Sequence, residues 1–174
     1  MSGVVDYWAK LCLACPVTTT QGTRDAVAAL EAAIDHAETL LGHPLLEDVV
    51  DQATGELTPV VIVTDNGPAY RSVGFARFIA SRPELLHVRT RYRSPQTNGV
   101  IERFYQAIKY EHLYRHQIGD GLALAQEVEA YLTIYNTIRP HEAIGFATPL
   151  VRYLQAPSIP PGANLQPPAA VSDS

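Results

Sequence analysis

Hydrophobic and polar positions change rhythm several times along this chain, and the changes mark its elements. Val4-Val5-Asp6-Tyr7-Trp8-Ala9 and Leu11-Cys12-Leu13-Ala14-Cys15-Pro16-Val17 are β-prone runs separated by Lys10 alone, which predicts a tight antiparallel pair. After the polar Thr18-Thr19-Thr20, apolar residues recur near helical spacing at Val27, Leu30, Ala33 or Ile34 and Leu41. A helix from Thr23 or Arg24 to Leu41 follows, closed by Gly42 and Pro44. Residues 43–58 read as a loop. Val60-Val61-Ile62-Val63 is a continuous apolar run of the kind that fills a central strand buried on both faces. Asp65 ends it, and Asn66-Gly67-Pro68 supplies turn chemistry.

The second half alternates similarly. A helix is predicted over Ser72 to Ser81, a strand over Leu86 to Thr90, a loop over Tyr92 to Thr97 and a long helix from Asn98 to His116. Another runs from Gly121 to Ile138 and stops at Pro140. The order implies one mixed α/β domain over residues 1–154. Residues 155–174 carry five prolines and few large apolar side chains, which predicts a disordered tail.

Composition narrows the class. No stretch reaches the roughly 18 apolar residues of a membrane span, and Met1-Ser2-Gly3 does not open a signal peptide. A soluble cytoplasmic protein is expected. Cys12 and Cys15 form a lone C-x-x-C on a predicted strand, where residues three apart face opposite ways, so they read as buried small hydrophobes rather than as a metal or redox pair. The net charge of −5 hides an asymmetry. Residues 65–115 hold nine Lys/Arg against four Asp/Glu, whereas residues 1–64 hold two against nine. A polyanion can approach the basic segment, because fields within about 10 Å dominate at moderate salt.

That basic segment also carries the candidate chemistry. Asp65 closes Val61-Ile62-Val63-Thr64-Asp65-Asn66-Gly67, and Glu102 lies in Ser94-Pro95-Gln96-Thr97-Asn98-Gly99-Val100-Ile101-Glu102-Arg103-Phe104, 37 positions later. The carboxyl end of a strand is where open α/β sheets place ligands. Glu102 sits on a helix whose apolar stripe is Val100, Ile101, Phe104, Ala107 and Ile108, and Lys109 returns to its face with Gln106 between them. Arg89, Arg91 and Arg93 alternate on one side of a strand and the loop after it. They suit phosphate contact, with charge protection of a sheet edge as the rival reading.

These motifs, with Tyr135-Asn136-x-x-Arg139-Pro140-His141 and Thr148-Pro149, resemble the D,D,E catalytic core of insertion-sequence transposases and retroviral integrases. The resemblance covers about Val4 to Leu154. It implies a ribonuclease-H-like mixed sheet flanked by helices, with Asp65 and Glu102 as catalytic and metal-binding carboxylates for Mg²⁺ or Mn²⁺. It also implies DNA contacts from Lys109, Gln106, Asn98, Arg89, Arg91 and Arg93. Transposon ends and target DNA would be the partners, together with a homo-oligomer or a full-length transposase, and the protein would associate with the nucleoid when bound. For Tyr135, Arg139 and His141, structural roles at a helix end are expected over metal or DNA binding.

One member of the family pattern is missing. Its first strand carries Trp-x-x-Asp-x-Thr, and Val4-Val5-Asp6-Tyr7-Trp8 resembles its second strand instead. Asp6 is therefore not expected to be the first catalytic acid. The expectation is an N-terminally incomplete core that lacks the first strand and one of three carboxylates, and with it the full two-ion geometry. Two rivals are a non-catalytic DNA-binding or dimerising transposase remnant and a ribonuclease-H-type nuclease. The Asn98-Gly99-Val100-Ile101-Glu102 and Arg139-Pro140-His141 contexts disfavour the nuclease.

Overall fold

The computed structural model describes residues 1–90 and 95–155, with 95–98 described in backbone only. Arg91, Arg93, the side chain of Asn98 and all of the Pro-rich tail except Gln155 lie outside the described residues.

The chain opens with a hairpin of β1 (Val4–Val5) and β2 (Cys12–Ala14), which pair antiparallel. Six residues join them rather than Lys10 alone. The Asp6 carboxylate accepts the Ala9 N–H at 2.5 Å, and Lys10 adopts a left-handed backbone with φ 62°. Local hydrogen bonding from an aspartate thus outcompetes strand extension here. The hairpin packs on α1 (Thr23–Leu41), whose buried stripe is Ala26, Ala29, Leu30, Ala33, Ile34 and Ala37. Gly42, left-handed at φ 81°, ends that helix by returning its N–H to the Glu38 carbonyl.

Residues 43–58 are not wholly loop. A five-residue helix, α2 (Leu45–Val49), follows Pro44. Its Leu45 N–H donates to the Glu38 carboxylate at 2.9 Å, and Val49 is buried. Tertiary anchoring sustains a helix too short to show a period.

Next come β3 (Val60–Thr64), α3 (Val73–Ala80) and β4 (Leu85–Arg89). Ser72 caps α3 by accepting the Phe75 N–H at 3.1 Å. The strands β3 and β4 run parallel, pairing Val60 with Leu85 through Thr64 with Arg89. Among the described residues β3 has no second strand partner, and Val61 and Val63 are exposed. This corrects the expectation of a strand buried on both faces. Its apolar content suits a central strand, but among the described residues no strand pairs with its second edge and one face is exposed.

The long helix α4 (Pro95–Ala107) continues as a π-helical turn (Ile108–His112) and a 3₁₀ turn (Leu113–Arg115). After it come α5 (Gly121–Thr137), capped by the Asp120 carboxylate on the Ala123 N–H, and α6 (Pro149–Leu154). Two apolar cores result. One gathers Cys12, Cys15, Phe104, Ile108, Val128, Tyr131 and Tyr135, joining the hairpin to α4 and α5. The other gathers Ala26, Leu30, Ile34, Phe75 and Leu85, joining α1 and α3 to the parallel pair.

Both cysteine thiols enter the first core, side by side, because Cys15 lies beyond the end of β2 and escapes strand alternation. Burial pushes the Cys12 thiol well up, while a hydrogen bond from it holds Cys15 down. Opposite-face placement is therefore corrected, and both are free, buried thiols. No helix among the described residues is long and apolar enough to cross a membrane.

Candidate active site

Asp65 follows β3 directly, where the strand backbone gives way to a turn. Its carboxylate accepts the Gly67 N–H at 2.7 Å. A Cβ on Gly67 would sit 2.8 Å from that same oxygen, so the turn needs glycine for close approach rather than for an unusual φ. Asn66 donates its amide to the Thr90 carbonyl at 2.6 Å and ties the turn to the end of β4. Thr64, one step back, meets His87 Nε2 at 2.8 Å. The result is an exposed carboxylate on a backbone fixed from three directions.

Glu102 reaches the same region from α4. Phe104 and Ile108, on the helix's opposite side, are buried in the first core, which leaves Glu102 exposed. Gly3 lets β1 abut this helix: a Cβ there would lie 3.1 Å from the Tyr105 hydroxyl and 3.2 Å from Ile101 Cδ1. The Gly3 N–H instead donates to that hydroxyl at 2.6 Å. Burial pushes the Tyr105 hydroxyl up to about 12, so it stays protonated.

Asp65 and Glu102 line one cleft of about 390 Å³. It is lined by Val4 and Val5 of β1 and by Val61 to Thr64 of β3. A second cleft of about 430 Å³ also includes Asp65 and brings in Gly67, Tyr70, Tyr105 and Lys109. Asp65 is thus the shared corner, with Glu102 to one side and Lys109 to the other. Burial and the Asp65 charge together push the Tyr70 hydroxyl up. A cleft of about 470 Å³ beside Cys12, His36 and Asn136 contains neither acid.

The other predicted residues are placed as follows. Arg89 is exposed at the end of β4, in register with Thr64 and so one position from Asp65. Its charge and burial lower the His87 imidazole, burial acting more strongly. Gln106 is exposed on α4 but lines neither cleft. Asp6 is turned into its own hairpin, where burial raises its carboxyl, and it lines neither cleft.

Tyr135, Arg139 and His141 hold structure together. The Tyr135 ring meets Phe104 and His141 edge-on at 5.1 and 4.5 Å. Arg139 grips Glu111 with two nitrogens at 2.9 and 2.6 Å. Thr64, His87 and Tyr105 were not singled out from the sequence. Tyr105 alone offered a signal, as the one large aromatic of α4 beside its apolar stripe.

Two exposed carboxylates, with no cation paired to either among the described ion pairs, offer hard oxygen donors on the lining of one cleft. That chemistry suits a divalent ion such as Mg²⁺.

Comparison with known proteins bears on the fold and the family likeness. Residues 84–149, which include Glu102 and Lys109, match the integrase core domain family. The chain is 35% identical over 95 residues to the transposase InsD of insertion element IS2A/D/F/H/I/K from Escherichia coli, covering 53% of this chain and 30% of that protein. The putative InsD of IS2E, from Escherichia coli K12, matches at the same identity and spans, with 42% of its own length covered. The chain therefore spans less than half the length of these curated relatives. Among solved structures, a chain of the simian T-cell lymphotropic virus intasome in complex with PP2A regulatory subunit B56 gamma superposes with a TM-score of 0.63 at 20% identity, covering 98% of this chain and 53% of that one. The HTLV-2 integrase catalytic core domain in complex with magnesium gives 0.57 at 21%, covering 86% and 80%. The α/β fold is accordingly ribonuclease-H-like. With the acid-bearing helix inside the matched segment and the fold shared over most of the chain, this chain is similar to the catalytic cores of DDE transposases and integrases.

Proposed function

We propose that this chain is the DNA-facing core of a transposase, in which Asp65 and Glu102 bind Mg²⁺ or Mn²⁺ for transfer at DNA phosphodiesters. The observation that carries the reading is that both line one cleft, Asp65 from the turn after β3 and Glu102 from α4. A divalent ion held there would offset the negative charge that grows on the attacking and leaving oxygens. The Gly67 N–H and the Asn66–Thr90 tie hold the Asp65 backbone in place, and Tyr105 braces the helix that carries Glu102. Lys109, beside Asp65, and Arg89, at the end of β4, supply positive charge for the DNA backbone and leave base sequence unread. Transposon ends and target DNA are the proposed partners, with a second copy or a full-length transposase completing the assembly.

A second reading, a DNA-binding or dimerising remnant, is favoured by one observation. Asp6 is committed to its hairpin, so the described acids at the cleft are two, and two ions with a bridging ligand need a third.

Incubating the protein with supercoiled plasmid and Mg²⁺ or Mn²⁺ separates the two. Nicking or strand joining that disappears in Asp65→Asn supports the transferase. Salt-sensitive binding without cleavage, unaffected by Asp65→Asn, supports the remnant.

A further inference from the structure

A second group of metal-ligand side chains lies beyond the far end of α4. His112, His116 and Glu127 each offer a ligand atom, and these atoms lie within 4.8 Å of one another. We propose that they form a site for one Zn²⁺ ion, or a similar borderline first-row cation, which pins the turn after α4 to α5.

The backbone is shaped for this. An unbroken α-helix would carry the chain onward past His112, but the π-helical turn ends there and a 3₁₀ turn follows. His112 leaves helical geometry at φ −130°, and His116 is extended. The chain thereby folds the His116 ring back over the His112 ring, with centroids 4.2 Å apart. The His116 Nδ1 lies 3.0 Å from the His112 carbonyl, a hydrogen bond that the ring exchanges for the ion when Nδ1 coordinates. Irregular turns of the π kind concentrate at functional sites, because they re-aim side chains at the cost of regular hydrogen bonding.

The chemistry of the donors selects the ligand. Glu127 comes from α5, and its Oε2 lies 2.7 Å from His112 Nε2 and 3.7 Å from His116 Nδ1. Both ion-pair contacts described for this carboxylate are to imidazoles, with no lysine or arginine. With neutral imidazoles the group carries one negative charge. A small divalent cation matches two nitrogens and one oxygen, and imidazole favours zinc-like ions over magnesium or calcium. Metal–ligand bonds of about 2.0–2.2 Å place tetrahedral ligands roughly 3.3–3.6 Å apart. The 2.7 Å contact must open and the 3.7 Å contact closes slightly, both within reach of side-chain rotation. His112 is only 12% exposed and is backed by Tyr131 at 5.4 Å, whereas His116 is 44% exposed, so an ion can enter from the His116 side. Water would complete the fourth position.

The test uses the full chain and Zn²⁺ alone as probe, in excess Mg²⁺ to occupy the oxygen site at Asp65 and Glu102. Equilibrium dialysis should find one Zn²⁺ per chain, with affinity falling at least about tenfold in both His116→Ala and Glu127→Gln. Saturating Zn²⁺ should raise the melting temperature of the wild type more than that of either variant. Co²⁺ in place of Zn²⁺ should give tetrahedral absorption without a thiolate charge-transfer band. The proposal is overturned by no uptake, by uptake unchanged in both variants, or by a thiolate band that assigns the ion to Cys12 and Cys15. His116 is exposed, so its variant keeps the test available if Glu127→Gln folds poorly.

Discussion

Asn136 reaches across 124 positions to satisfy both backbone groups of Cys12: its Oδ1 accepts the Cys12 N–H at 3.0 Å and its Nδ2 donates to the Cys12 carbonyl at 2.9 Å. A side-chain amide from α5 thus stands in for a strand at the edge of β2. Both partners are buried, so the pairing is costly to lose. Asn136→Ala should destabilise the fold by about 2–5 kcal/mol, since a buried donor and a buried acceptor are both orphaned. Urea denaturation checks this, with Thr133→Ala on the exposed side of the same helix expected within about 0.5 kcal/mol of wild type.

Gly67→Ala should damage the site while sparing the fold. The added methyl would meet the Asp65 carboxylate at 2.8 Å, displacing the oxygen that the Gly67 N–H now holds. Mn²⁺ affinity, followed by titration calorimetry, should fall by about tenfold or more. The circular dichroism spectrum should not change.

Stability should decline on mild acidification through His141. Its buried imidazole, near Arg139, is held below the usual range, burial being the larger cause. The unfolded chain therefore takes up this proton first. Stability is full above the ordinary imidazole range and falls as pH drops through it toward the lower folded value, by up to about 1.4 kcal/mol per pH unit. Between pH 7.5 and 5.5 the wild type should lose more stability than His141→Gln, as measured by paired urea titrations.

The parallel pair should be adhesive. Val61 and Val63 are exposed, and β3 lacks a second partner among the described residues. An apolar strand with an open edge is a template for pairing between chains. Sedimentation velocity should detect self-association that Val63→Lys weakens by about tenfold or more in Kd, a difference of about 1.4 kcal/mol.

Much of this was legible in the residues. Ser72 at the start of α3, Asp120 before α5, and Gly42 with Pro44 after α1 are local signals, and each element begins or ends where its signal stands. Asp65 and Glu102 stand out as candidates because motif context adds to position, and both line one cleft. What escaped depends on distant partners. The helix α2 exists through Glu38 and a buried Val49, and the exposure of β3 depends on which strands lie beside it. The role of Asn136 needs Cys12 at the other end of the chain. The π turn that ends at His112 gives no periodic sign, because a single wide turn shifts the helical phase only locally.

The central claim is that Asp65 and Glu102 hold one divalent ion between them. Backbone cleavage by bound Fe²⁺ with ascorbate reports it most directly, because the radicals cut the chain beside the ion. Cuts next to both Asp65 and Glu102, suppressed by excess Mg²⁺ and absent in Asp65→Asn, are the predicted result. Cuts at neither residue, or the same cuts surviving in Asp65→Asn, would contradict it.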